Sequence, residues 1–257
     1  MRRRDVLKMA GSVVLAGTLG RALALVPATG EGFFRRYPEG YGNLVVPQDR
    51  PFAAAGVGET PLGTSVLIRT RTEQPLHYHR EHLEVALILK GQGRFVASGK
   101  ETPLAPGQIV VIPAMTAHAF MGELDILSRF SPRLMGDVVF VQEGFGPNEG
   151  TPLLLSHNAP QVPQDRPFAA SALANAPLGT VVAVATRTGQ PWHYHKSKDE
   201  QIYILAGDGI AQVELKREKV GPGSVVIVPS GDIHQFQGSL QFLSVFGPAL
   251  MGDVVFL

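Results

Sequence analysis

The chain repeats itself at a spacing of 116 residues, and no other feature narrows its fold as far. Pro47 to Ala54 returns as Pro163 to Ala170, Pro61-Leu62-Gly63-Thr64 as Pro177 to Thr180, and Leu134 to Phe140 as Leu250 to Phe256. No net insertion separates the copies, so 257 residues divide into two small domains of one kind. The predicted boundaries are about 44–141 and 159–257, with a Gly- and Pro-bearing linker at 142–158 and a short arm at 29–43.

A second pattern lies inside the repeat. His77, His79, Glu84 and His118 recur as His193, His195, Glu200 and His234, and six of the eight histidines fall on these places. Residues i and i+2 of a strand face one way, so His77 and His79 converge while Tyr78 points to the other face. Glu84 is expected from the neighbouring strand after a short turn, and His118 from a later strand across the barrel. Three imidazoles and a carboxylate suit a divalent first-row metal (Mn, Fe, Ni or Zn), up to two ions per chain, with about two positions left free on an octahedral ion. Substrate or O₂ would bind in those positions. Glu84 and Glu200 are the candidate catalytic proton carriers.

Phe120 and Phe236 follow the last histidine of each set by two residues, so they share its face, as pocket lining or as core. Tyr194 and Trp192, like Tyr78, are expected to pack outside the metal face. His82, whose counterpart is Lys198, and His157 read as surface residues. Arg69 and Arg94 occur only in the first copy, where the other copy has Ala185 and Ile210. They read as a solvated strand face, the alternative being a carboxylate-binding guanidinium at one site.

Each copy is a series of short β-branched and apolar runs cut by Gly and Pro: 65–70, 84–89, 93–97, 108–112, 126–130 and 138–141. No sustained helical period appears after the N-terminus, which predicts an all-β, antiparallel barrel or sandwich. Val85 to Leu89 is apolar on both faces. Both faces must then be covered, as where the sheets of the two domains pack together.

The N-terminus is a separate element. Arg3-Arg4-Asp5-Val6-Leu7-Lys8, the apolar run Met9 to Gly20 and Arg21 form a charged, modestly hydrophobic start too short to span a bilayer. It resembles a bacterial twin-arginine export signal over 1–28, cleaved near Ala24 or Ala28, which implies a periplasmic or exported protein; a membrane-anchoring or surface helix is the alternative. Five of the 23 basic residues and one of the 22 acidic residues lie in the first 24, leaving 18 against 21, a net charge of −3. A mildly acidic protein is a poor partner for nucleic acid, and no stable membrane span is expected once the signal is removed. Twin-arginine export carries folded proteins, so Mn or Fe would be loaded before the chain meets the more strongly bound copper and zinc. The absence of Cys leaves neither disulfides nor thiolate ligands.

His77-x-His79-x4-Glu84-x6-Gly91 followed by Gly107-x5-Pro113-x4-His118 resembles the two signature motifs of the cupins, and the second half repeats them from His193 to His234. The resemblance covers nearly all the chain after the signal and implies a bicupin, two tandem jelly-roll barrels each with a metal in its mouth. Met115 departs from the family's usual Gly, present here as Gly231, and predicts a differently shaped turn. Gly122 and Gly238 stand where the second motif usually ends in Asn. Oxalate-degrading relatives place an arginine three residues before the first histidine; this chain has Gln74 and Gln190, which are pocket candidates able to bind a carbonyl or hydroxyl but unable to neutralise a dianion. A metal-dependent dioxygenase, or related oxygenase or lyase, acting on a small oxygenated compound is thus the implied function. A non-catalytic metal or small-ligand binding protein and an oxalate decarboxylase or oxidase are the alternatives. Oligomeric state is left open.

Overall fold

In the computed structural model, the described residues are 33–39, 42–134, 136–142, 146–250 and 252–257. The expected signal at 1–28 lies outside them. Every regular element among the described residues is a strand. The first ten are β1 (Phe33–Arg36), β2 (Phe52–Thr60), β3 (Gly63–Thr70), β4 (Glu73–His79), β5 (Leu83–Ala97), β6 (Lys100–Leu104), β7 (Gln108–Ile112), β8 (His118–Ser131), β9 (Val138–Phe140) and β10 (Leu153–Ser156). The second half runs β11 (Phe168–Ala176), β12 (Gly179–Thr186), β13 (Gly189–His195), β14 (Asp199–Val213), β15 (Lys216–Val220), β16 (Ser224–Val228), β17 (His234–Gly247) and β18 (Val254–Phe256).

They form two antiparallel nine-stranded sheets of matching topology, the tandem jelly-roll barrels expected. The first follows β10-β7-β5-β8-β3-β2 with β4, β6 and β9 attached, and the second follows β1-β16-β14-β17-β12-β11 with β13, β15 and β18. The edge strands are exchanged. β1, from the arm ahead of the first barrel, pairs with β16 of the second, and β10, from the segment read as a linker, pairs with β7 of the first.

Alternation along β5 explains the double-faced apolar run. Glu84, Ala86 and Ile88 face the barrel interior, where Ala86 and Ile88 join Phe95, Val110, Ile112, Phe120 and Ile126. Leu83, Val85 and Leu87 face outward into a second core shared with Val181, Ala183, Leu243 and Val245 of the other half. β5 is also longer than the two runs predicted at 84–89 and 93–97. A bulge between Ile88 and Lys90 switches the inward residues from even to odd numbers, so Phe95 and Ala97 point inside. Gly91, at φ +94°, makes that bend possible: a Cβ there would lie 1.8 Å from the Glu123 carbonyl oxygen.

Candidate metal centres

The ligand atoms of His77, His79, Glu84 and His118 lie within 4.8 Å of one another, as do those of His193, His195, Glu200 and His234. All eight residues are buried. The route by which they meet differs in one respect from expectation. His118 does not come from across the barrel: β8 runs directly beside β4, and His77 and His118 are paired in register, as are His193 and His234. β8 is long enough to pair with β4 at one end and β3 at the other while β5 follows its opposite edge, so Glu84 arrives from the far side of β8.

The imidazoles are held in one tautomer. Nδ1 of His77 lies 2.8 Å from the Pro75 carbonyl oxygen, and Nδ1 of His118 lies 2.9 Å from that of Thr116. His193 and His234 repeat this at 2.8 and 3.0 Å with Pro191 and Asp232. Each Nδ1 therefore carries the proton and each Nε2 presents a lone pair inward. Glu84 Oε2 lies 3.2 Å from Nε2 of both His79 and His118, and Glu200 Oε2 lies 3.2 and 3.1 Å from those of His195 and His234. A carboxylate facing these Nε2 atoms in a dry interior needs a cation between them, either a proton or a metal ion. Nε2 of His77, His79 and His195 are buried without a hydrogen-bond partner. Neighbouring ligands on an octahedral ion with bonds of about 2.1–2.2 Å stand roughly 3 Å apart, so the donor sets fit a divalent first-row metal.

The charge pattern agrees. Burial, reinforced by His118 and His79, pushes His77 well below the ordinary imidazole range, and burial brings His193 down to about 4. Burial also opposes charge on His79, but Asp137 and Glu84 outweigh it and push this group up to about 9; His195 is raised for the same kind of reason. Burial would raise Glu84, yet His118 and His79 hold it well below the usual carboxylate range, and Glu200 is held down likewise by His195 and His234.

The pocket candidates are on the metal face. Register pairs Gln74 with Phe120 and Gln190 with Phe236, one bulge before His77 and His193. Oε1 of each glutamine is buried without a partner. Phe120 and Phe236 are fully buried, with ring centroids 6.0 and 6.4 Å from His118 and His234, so they are the inner wall as well as core. Tyr78, Tyr194 and Trp192 are half-buried.

Other expectations change. His82 is not a surface residue: it is 2% exposed, with Nδ1 2.5 Å from Asp137 Oδ2 and Nε2 2.8 Å from the Arg133 carbonyl oxygen. Asp137, whose other oxygen lies 3.7 Å from His79 Nδ1, and its twin Asp253, 3.8 Å from His195 Nδ1, were not singled out among the candidates. Both sit in the repeated Leu-Met-Gly-Asp-Val-Val-Phe block, which was the available signal. Arg69 is no substrate clamp: it binds Asp125 through two hydrogen bonds of 2.6 Å and ties down the Gly42 and Leu44 carbonyls. Arg94 forms a solvent-exposed pair with Glu101. His157 is half-buried and belongs to neither centre. Met115 keeps the turn it was expected to reshape, for φ is +55° there and +90° at Gly231, and the N–H of each donates to the carbonyl of His79 or His195.

The family profile of the cupin domain matches residues 65–125 and 180–246. An uncharacterized protein of Aquifex aeolicus (strain VF5) is 32% identical over 83 residues, 31% of this chain and 69% of that one. Among solved structures, the oxalate decarboxylase of Lactobacillus farciminis, in its formate complex, is similar with a TM-score of 0.65 at 13% identity, covering 90% of this chain and 89% of that one. The salicylate 1,2-dioxygenase of Pseudoaminobacter salicylatoxidans, in complex with gentisate, has a TM-score of 0.65 at 11% identity, covering 86% and 83%. At such identities the likeness is one of fold. No helix among the described residues is long and apolar enough to cross a membrane.

Proposed function

Because the chain belongs to the cupin family, with one cupin domain in each half, we propose that it is a metal-dependent oxygenase or lyase acting on a small, oxygenated, uncharged organic compound, with dioxygenase chemistry as the favoured reaction type. The observation that carries this reading is the pair of inward-facing donor sets, each accompanied on its strand by a glutamine whose amide oxygen is buried without a partner. When bound, Mn or Fe would supply Lewis acidity and open positions for substrate and O₂.

The remaining work falls to the chain. The Gln74 and Gln190 amide oxygens accept a hydrogen bond from a substrate hydroxyl, which also ends their isolation in the interior. Phe120 and Phe236 back the site with an apolar wall and exclude water. Glu84 or Glu200 takes the substrate's proton once its carboxylate turns away from the donor set. A dianion such as oxalate is a poorer fit, since the histidine-bearing faces of β4 and β13 carry Gln where a neutralising cation is needed. We further propose that residues 1–28 direct export after the metal is loaded.

The test is element analysis of the purified protein, then O₂ uptake and CO₂ release with phenols, diketones and oxalate. Mn or Fe in both centres and O₂ uptake with a phenol or diketone are expected. Tight metal retention with no turnover would replace the enzyme by a binding protein, and CO₂ from oxalate would replace the oxygenase by a decarboxylase.

A further inference from the structure

The ligands of the two centres match in kind and spacing, but the hydrogen bonds that support those ligands match only in part. In the first barrel, Ser128 Oγ donates to Glu84 Oε1 at 2.6 Å, fixing the carboxylate's outer oxygen. The same place in the second barrel is Ser244, also buried, whose Oγ has no partner. The support behind the second histidine differs as well. Asp137 accepts from the exposed Glu81 N–H at 3.0 Å, as Asp253 does from the equivalent Ser197 N–H, but it is also held from inside the protein by His82 at 2.5 Å, with His82 itself anchored on the Arg133 carbonyl. Among the described residues, Asp253 is held by Ser197, through its N–H and hydroxyl at 3.1 Å each, and Ser197 is exposed. Lys198 stands where His82 would be.

We propose that the two centres are unequal in metal affinity, the first being the tighter, with Ser128 and His82 as the positioning residues responsible. This rests on the reading that both donor sets hold metal. A ligand carboxylate already fixed in the binding orientation, and an imidazole backed by a carboxylate that is itself held in place, lose less freedom when the ion arrives, and outer partners of this kind alter affinity by about 10- to 100-fold. A buried imidazole–carboxylate contact also resists competition by water, which an exposed serine hydroxyl does not. The first barrel has both supports and the second has neither.

The test is a Mn(II) titration of the metal-free full chain, reading unbound ion by electron paramagnetic resonance. Two classes of site separated by about tenfold or more are expected. His77→Ala should abolish the tight class and His193→Ala the weak one. Ser128→Ala and His82→Ala should each weaken the tight class and change the zero-field splitting of its bound-Mn signal. The weak class, unchanged, reports that these variants remain folded, and Ser244→Ala should alter neither class. Equal affinities, a tight class lost with His193→Ala, or a tight class indifferent to both Ser128→Ala and His82→Ala would overturn the inference while leaving the metal reading intact. Failure to bind Mn(II) at either centre would remove both.

Discussion

At Met115 the chain keeps a left-handed turn, φ +55°, with a side chain where the second half uses Gly231. A non-glycine residue there costs about 1–2 kcal/mol, and the turn is kept because its N–H closes on the carbonyl of His79. Around Gly231 there is open space, so a Cβ would meet strain and no clash. Gly231→Ala is therefore expected to destabilise the second barrel by about 1 kcal/mol, and Met115→Gly to stabilise the first by up to that amount, both read from urea unfolding. A second prediction concerns protons. His79 in the metal-free protein is raised to about 9, above its unfolded value near 6.5, so it adds stability that is whole below 6.5 and lost as pH rises toward 9. His195 is raised in the same direction, while His77 and His193 are lowered and act below 6.5. Thermal midpoints of the metal-free protein should thus fall between pH 6.5 and 9. With Mn bound the imidazoles are already neutral, and this decline should be absent. An equal decline in both forms would show that other groups control it.

Among the elements, β5 carries the ligand Glu84 at one end and the core residue Phe95, whose ring lies 6.0 Å from that of His118, at the other, and its bulge sets which residues face the barrel interior. Gly91→Ala combines positive φ with a Cβ 1.8 Å from the Glu123 carbonyl oxygen. The expected loss is about 2–4 kcal/mol in denaturant unfolding, and a loss below about 0.5 kcal/mol would mean that the bulge relaxes freely. The same bulge shows where sequence reasoning stops. Alternation is a local signal, and a parity switch breaks one long strand into two short ones on paper. The eight ligands were legible because each recurs at one spacing in both copies. The pairing of β8 with β4 was not, since nothing in a sequence of antiparallel strands says which neighbours meet. His82 was missed because its twin is Lys198, so the repeat gave it no support. The strands Phe33–Arg36 and Leu153–Ser156 were missed because they are short and unlike each other in sequence.

For the molecule as a whole, the halves share more than a boundary. β1 and β10 are exchanged between barrels, and Leu83, Val85 and Leu87 pack against Val181, Leu243 and Val245. Exposing either half alone would open that core, so denaturant should unfold the chain in one transition, with fluorescence and circular dichroism coinciding. Two separated transitions would show the interface to be weaker than its burial implies. Set into this apolar contact is a polar cluster absent from the repeat: fully buried Arg129 of β8 pairs with Asp199 of β14, Thr60 also binds Asp199, and Ser65 binds Gln201. Arg129 and Asp199 have Val245 and Leu83 as their twins, so each ion occupies a place the other half fills with an apolar side chain. Removing one partner strands a charge without water: Arg129→Val or Asp199→Leu alone should cost about 3–5 kcal/mol. The double variant strands no charge and should recover most of that loss, giving a coupling of several kcal/mol in a double-mutant cycle. If the double variant is instead as unstable as the sum of the singles, the two charges act independently. The pair flanks Ser128, which holds Glu84, and the ligand Glu200, so the Mn(II) isotherm of the double variant also tests whether it locates the centres: unchanged affinities would confine its role to joining the barrels.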